Sequence, residues 1–142
     1  MNHSFHYIGC FFSANELLEK LKPYRRKPLE RTISEPHVTF IYKPNEVDEC
    51  LFGTDIHVTI IGYGNDGKNE GVKVSLSSDN PKLQNMIEKI EVPHITISVG
   101  LGAEAVNTRN LVFTPISEIQ ITGKYGGCLV SREVVLQRRE DK

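Results

Sequence analysis

Pro36-His37-Val38-Thr39-Phe40 and Pro93-His94-Ile95-Thr96-Ile97 decide how this chain reads. Each is a proline, a histidine, a β-branched apolar residue, a threonine and another apolar residue. Valine, isoleucine and threonine favour strands, and side chains alternate between the two faces of a strand. His37 and Thr39 are then expected on one face, with Val38 and Phe40 on the other. In the second copy His94, Thr96 and Ser98 are expected on one face, opposite Ile95, Ile97 and Val99. Each strand gains an apolar back for a core and a polar front bearing an imidazole and a hydroxyl. The two fronts are expected to face one cleft and to act together on a phosphate.

Outward from these motifs, the chain alternates strands with two short helices. Residues 5 to 12 are apolar and aromatic-rich and read as a strand. Ser13 and Glu16 have capping-box spacing, Leu17, Leu18 and Leu21 form an apolar stripe, and Pro23 ends that helix. Arg25, Arg26, Lys27 and Arg31 make a basic run, read as a solvated loop or the lining of a phosphate entrance. Residues 44 to 53 read as turns and Thr54 to Gly62 as a strand. Gly62-Tyr63-Gly64-Asn65-Asp66-Gly67 has the spacing of a dinucleotide fingerprint, but the following Gly71 to Leu76 alternates as a strand, whereas the fingerprint must open a helix. Asp66-Gly67 is therefore expected at a hairpin tip. Asn80-Pro81 starts a second helix with Leu83, Met86, Ile87 and Ile90 at helical spacing. After the second histidine strand, Gly100 to Thr108 reads as a loop and Leu111 to Phe113 as a short strand. Ile116 to Thr122 and Cys128 to Gln137 read as two strands joined by the glycine-rich 123–127. Each half thus offers a helix before a Pro-His-x-Thr strand. The expected fold is α+β: one bilobal domain over residues 1–142, with two pseudo-symmetric, mainly antiparallel sheets around a central cleft and helices outside.

Composition narrows the function classes. The 142 residues suffice for one domain with a core. A net charge of −1 argues against a broad grip on duplex DNA, which takes many phosphate contacts. Cys10, Cys50 and Cys128 show neither zinc-ligand nor disulfide-framework spacing, which fits a reducing, cytoplasmic setting. No basic region followed by a long apolar run is present, so neither a signal peptide nor a membrane span is expected. A monomer is expected.

Two histidines can cleave a phosphodiester without a metal. One removes a proton from the attacking oxygen and the other protonates the leaving oxygen, and imidazole suits both tasks near neutral pH. The threonine two positions on can donate to a non-bridging phosphate oxygen. The sequence supplies its own control, because Ile56-His57-Val58-Thr59-Ile60 also matches His-x-Thr. His57 lacks the preceding proline and its strand runs into the hairpin, so a structural or surface role is expected for it. A metal site needs a third ligand, which neither motif contains, so no cofactor or metal is expected. No Gly-x-Ser-x-Gly elbow is present.

These residues resemble the 2H phosphoesterases, whose signature is two His-x-Thr/Ser-x tetrapeptides on facing strands of a bilobal α+β fold. Here the matching positions are His37-Val38-Thr39-Phe40 and His94-Ile95-Thr96-Ile97. The family includes RNA ligase-associated cyclic phosphodiesterases, enzymes that hydrolyse 2′,5′-linked oligoadenylate, and phage proteins that linearise cyclic oligonucleotide signals. The resemblance implies metal-independent chemistry at a 2′,3′-cyclic, 2′,5′ or 3′,5′ phosphodiester. It implies His37 and His94 as the acid–base pair and Thr39 and Thr96 as phosphate donors. The expected substrate is a nucleotide, a cyclic oligonucleotide or an RNA end. Tyr7, Tyr42 and Tyr125 are candidates for base stacking, with Lys43 and Lys124 as phosphate partners. Strand alternation counts against Tyr42, and a glycine-flanked loop favours Tyr125. The alternative is a non-catalytic module that grips a nucleotide or RNA end in the same cleft.

Overall fold

A computed structural model describes residues 5–138. Its elements run β1 (Phe5–Phe11), α1 (Ala14–Leu21), β2 (Arg31–Thr32), β3 (His37–Tyr42), β4 (Asp55–Asn65), β5 (Asn69–Ser77), α2 (Pro81–Glu88), β6 (His94–Val99), β7 (Thr114–Leu129) and β8 (Val134–Val135). Single 3₁₀ segments cover Glu49–Leu51 and Ala105–Asn110. The fold is thus mainly antiparallel sheet with two short helices. Both N-caps form as expected, but the Glu16 carboxylate does not reach back to complete a capping box and lies 3.8 Å from Lys20 instead. Ser13 Oγ accepts from Glu16 N–H at 3.3 Å, and Asn80 Oδ1 accepts from the Lys82 and Leu83 amides at 2.9 and 3.2 Å. Leu17 and Leu21 on α1, and Leu83 and Ile87 on α2, anchor the helices to the core. Burying each such side chain stabilises by about 1.5–3 kcal/mol.

The strands join in one hydrogen-bonded path, β2-β6-β5-β4-β7-β1-β3, with β8 on β7. The two expected sheets are therefore not separate in their hydrogen bonding. The path nevertheless changes character within β7. Thr114 to Lys124 pairs with β4, while Lys124 to Leu129 pairs with β1. This strand takes in the expected Ile116–Thr122 strand, the supposed connection 123–127 and the first two residues of the expected Cys128–Gln137 strand, of which otherwise only Val134–Val135 is strand; 123–127 is therefore not a loop. Its glycines serve close packing. A Cβ on Gly123 would sit 2.2 Å from Cys10 Sγ, one on Gly126 2.5 Å from the Val135 carbonyl, and one on Gly127 2.5 Å from the Phe5 ring. Residues 111–113 are not a strand either. The hairpin tip is where Asp66-Gly67 placed it: Gly67 has φ +85°, and Asp66 Oδ1 accepts from the Lys68 and Asn69 amides.

Read outward from the β4–β7 pair, both sides carry the same succession. A strand that precedes a helix comes next (β5 or β1), then a histidine strand (β6 or β3). The sheet curves enough to bring Cα atoms of β3 and β6 within 8 Å of each other. A strap ties them. Thr32 pairs with Ser98, the Ile33 amide donates to the Ile97 carbonyl at 2.8 Å, and the Pro36 carbonyl accepts from Phe12 N–H at 3.1 Å. The chain crosses from β2, paired with β6, to the start of β3 within residues 33–36.

Each histidine strand has a bulge at the same motif position. On β3, Thr39 pairs with Gly9 and Ile41 with Ile8, which leaves Phe40 as the extra residue. On β6, Thr96 pairs with Gly71 and Ser98 with Glu70, which leaves Ile97 as the extra residue. A glycine faces the threonine in both cases. A Cβ on Gly9 would lie 2.1 Å from the Val38 carbonyl, and one on Gly71 2.7 Å from the Ile95 carbonyl. A bulge shifts the alternation of faces by one residue, with two consequences. Tyr42 returns to the His37 side, contrary to simple alternation. Ser98 leaves the His94 side and is fully buried, donating to Glu70 Oε1 at 2.6 Å.

Candidate active site

A cleft of about 820 Å³ is lined by His37, Thr39, His94 and Thr96, so the two motifs share one cavity. Small-molecule sites typically span about 300–1,000 Å³, so the space suits a nucleotide-sized ligand better than a folded RNA.

The proline of each motif helps to set the histidine's tautomer. The residue before a proline is held extended, and here its carbonyl turns onto the following imidazole. His37 Nδ1 lies 2.9 Å from the Glu35 carbonyl, and His94 Nδ1 lies 2.7 Å from the Val92 carbonyl. A carbonyl only accepts, so both Nδ1 atoms carry the proton and both Nε2 lone pairs are left for a ligand. Tyr7 Oη is 3.3 Å from His37 Nδ1, but those rings stack at 4.5 Å, so the phenol meets the imidazole face and the shorter carbonyl contact holds the proton. Burial pushes His37 below the ordinary imidazole value, and neighbouring His94 adds to the lowering against the pull of the Glu35 carbonyl. Burial also lowers His94, opposed by the Val92 carbonyl and reinforced by the Arg109 guanidinium. Both shifts favour the neutral imidazole.

The two threonines differ. Thr39 is exposed, with no partner for its hydroxyl among the described residues. Thr96 Oγ1 lies 3.2 Å from the Ala105 carbonyl and 2.9 Å from Thr108 Oγ1, and Thr108 in turn accepts from Asn69 Nδ2 at 3.2 Å. A hydroxyl has one proton, so a ligand must displace a protein partner to receive it from Thr96.

Of the candidate substrate residues, Tyr7 and Tyr42 line the cleft. Tyr125 does not. It lies mid-strand, 1% exposed, its ring packed on Phe40 and Phe52 at 6.0 and 5.4 Å, and burial pushes its phenol up to about 12. Lys124 is outside the cleft and ion-paired with Asp55. Lys43 is also outside the cleft wall, its ammonium 5.5 Å from the Tyr42 ring centre. The basic run likewise turns elsewhere: Arg25 makes two hydrogen bonds to buried Glu70, at 2.8 and 2.9 Å, and Arg26 lies over Tyr63. His57 is exposed on β4, away from the cleft.

Sequence reasoning missed His6, Lys89 and Arg109, all on the cleft wall. His6 alternates away from Tyr7 along an ideal strand, and only the irregular pairing of β1 at Phe5/Tyr7 brings both rings to the cleft. Arg109 sits on a 3₁₀ segment that reads as plain loop, and its one signal is a cation shortly after a histidine strand. Among the described residues, no three His, Cys, Asp or Glu side chains cluster as a metal site needs. No helix among them is long and apolar enough to cross a membrane. No protein-family model matches this chain, and no curated protein matches it either.

Proposed function

We propose that this chain is a phosphodiesterase of the 2H type, acting without a metal on a nucleotide phosphodiester: a 2′,3′-cyclic phosphate, a 2′,5′ linkage or a cyclic oligonucleotide. One observation carries the reading. Two histidines from separate strands line one cleft, each with Nδ1 tied to a backbone carbonyl and Nε2 without a partner among the described residues. In the reaction, one Nε2 takes the proton of the attacking hydroxyl or water as the new O–P bond forms. The other gives its proton to the oxygen whose bond to phosphorus breaks. Each transfer contributes about 10²–10⁴-fold. Because burial disfavours both imidazolium forms, the charge of the bound phosphate is what draws in the proton the acid needs. Thr39, and Thr96 once released from Ala105 or Thr108, donate to the non-bridging oxygens. The finer architecture follows the same reading: two lobes related by a pseudo-twofold axis, joined through β7, with the cleft between β3 and β6.

The test is turnover in EDTA of nucleoside 2′,3′-cyclic phosphates, 2′,5′-linked oligoadenylate and 3′,5′ cyclic dinucleotides. The expected result is metal-independent cleavage of at least one linkage. Binding without turnover of any of them would make the chain a nucleotide-gripping module instead.

A further inference from the structure

The two ends of the cleft differ in chemistry. Beside His37 the wall is aromatic. Tyr7 stacks on His37, Tyr42 stands 4.7 Å from His6 edge to face, and His6 is 5.7 Å from Tyr7. Tyr42 is 57% exposed, with the Lys43 ammonium 5.5 Å from its ring centre. Beside His94 the wall is cationic. Arg109 is close enough to depress that imidazole, and Lys89 lies on the same wall. Neither side chain makes an ion pair or hydrogen bond with a described residue. Glu91 shares the wall and leaves the three side chains with one net positive charge.

A substrate centred on the two histidines therefore meets a π-face on one side and an unpaired guanidinium on the other. The scissile phosphate already has Thr39 and the two imidazoles. Arg109 is held by its own segment beyond Thr96, because Thr96 contacts Ala105 and Thr108 of that segment. Arg109 thus belongs to the His94 end of the cleft wall, where a phosphate flanking the scissile one could reach it. Guanidinium matches a phosphate with two parallel N–H donors, and any nucleobase offers a π-face that stacks on an aromatic ring.

We infer that the cleft reads an oligonucleotide in one direction: a nucleobase on Tyr42 and Tyr7 at the His37 end, and a second, non-reacting phosphate on Arg109 at the His94 end. This rests on the proposed phosphodiesterase reading for which phosphate reacts, but not for binding. It makes di- and oligonucleotide substrates, linear or cyclic, the preferred class over a mononucleoside cyclic phosphate.

Calorimetric binding tests it without turnover. The probes are adenosine 3′-monophosphate and adenosine 3′,5′-bisphosphate, titrated into wild type, Arg109→Gln and Tyr42→Ala. Wild type is expected to bind the bisphosphate about tenfold more tightly, the scale of one charge-assisted hydrogen bond. Arg109→Gln weakens the bisphosphate more than the monophosphate and so removes that preference. Tyr42→Ala weakens both ligands alike and keeps the preference. Equal binding of the two ligands by wild type overturns the inference. So does an Arg109→Gln variant that weakens both to the same degree, which would put Arg109 on the reacting phosphate. A preserved preference in a protein that cleaves nothing upholds the two subsites while removing the enzyme reading.

Discussion

The β1–α1–β3 half and the β5–α2–β6 half repeat one device and finish it differently. Both place a glycine opposite the motif threonine and a bulge just after it, and both tie the histidine's Nδ1 to the carbonyl before the proline. Beyond that they part. The residue next to the glycine is Ile8 in one half and Glu70 in the other. Ile8 joins the core. Glu70, fully buried, accepts from Arg25, Tyr63 (2.5 Å) and Ser98. Thr39 is open and Thr96 tethered; the flanks are aromatic on one side and cationic on the other. What repeats is backbone geometry around two imidazoles that line one cleft. What differs is the side-chain chemistry around them, and on the reading proposed above that difference would distinguish the two ends of a substrate.

The largest effect expected on this comparison comes from breaking what only the second half has. Burial alone would raise the Glu70 carboxyl, but hydrogen bonds from Arg25, Ser98 and Tyr63 outweigh it and hold the group below its ordinary value. Arg25→Ala strands that carboxylate and is expected to cost about 3–5 kcal/mol in denaturant unfolding, whereas exposed Arg31→Ala costs less than about 0.5 kcal/mol. Next comes the threonine pair. Thr39→Val is expected to lower kcat by about 10²–10³-fold, the scale of one lost oxyanion donor, with stability unchanged. Thr96→Val is expected to lose less activity and about 0.5–1.5 kcal/mol of stability, because Thr108 loses a partner. Equal losses of activity at both positions would mean that the tether opens freely. The shared glycines follow. Gly9→Ala and Gly71→Ala each force a methyl against a backbone carbonyl and are expected to cost about 1–3 kcal/mol in thermal or chemical unfolding.

The smallest effect is a pH dependence. His37 and His94 have lowered folded values, so between those values and about 6.5 the unfolded chain binds more protons. Their contribution is complete above about pH 6.5 and is lost as pH falls through the folded values. The Tm of the wild type is expected to drop more between pH 7.5 and 5.5 than that of the double variant His37→Gln/His94→Gln. Equal drops would mean that neither imidazole is desolvated as the cleft requires.

Much of this was legible in the chain, and what was not has a physical cause. The helix caps, the hairpin tip and the two histidine strands are local patterns and stand where the sequence put them. Tyr125 was misplaced because glycines at 123, 126 and 127 look the same whether they make a turn or admit a neighbour's side chain. Alternation alone counts against Tyr42 and puts Ser98 on the wrong face because it assumes regular strands, and a bulge is set by the partner strand. The glycine at that partner position, Gly9 or Gly71, was the available signal. Arg109 was missed because nothing in a 3₁₀ segment's own sequence tells which strand it will cover.

The central claim is that His37 and His94 work as one acid–base pair. Its most direct test is single-turnover kinetics in EDTA, on whichever substrate the wild type cleaves, with His37→Ala, His94→Ala, their double variant and His57→Ala. Each cleft variant is expected to lose about 10²–10⁴-fold. The double variant should lose little more than either single one, because groups acting as a unit are not additive. His57→Ala should match the wild type. Activity that survives loss of either cleft histidine, or that depends on His57, would contradict the account.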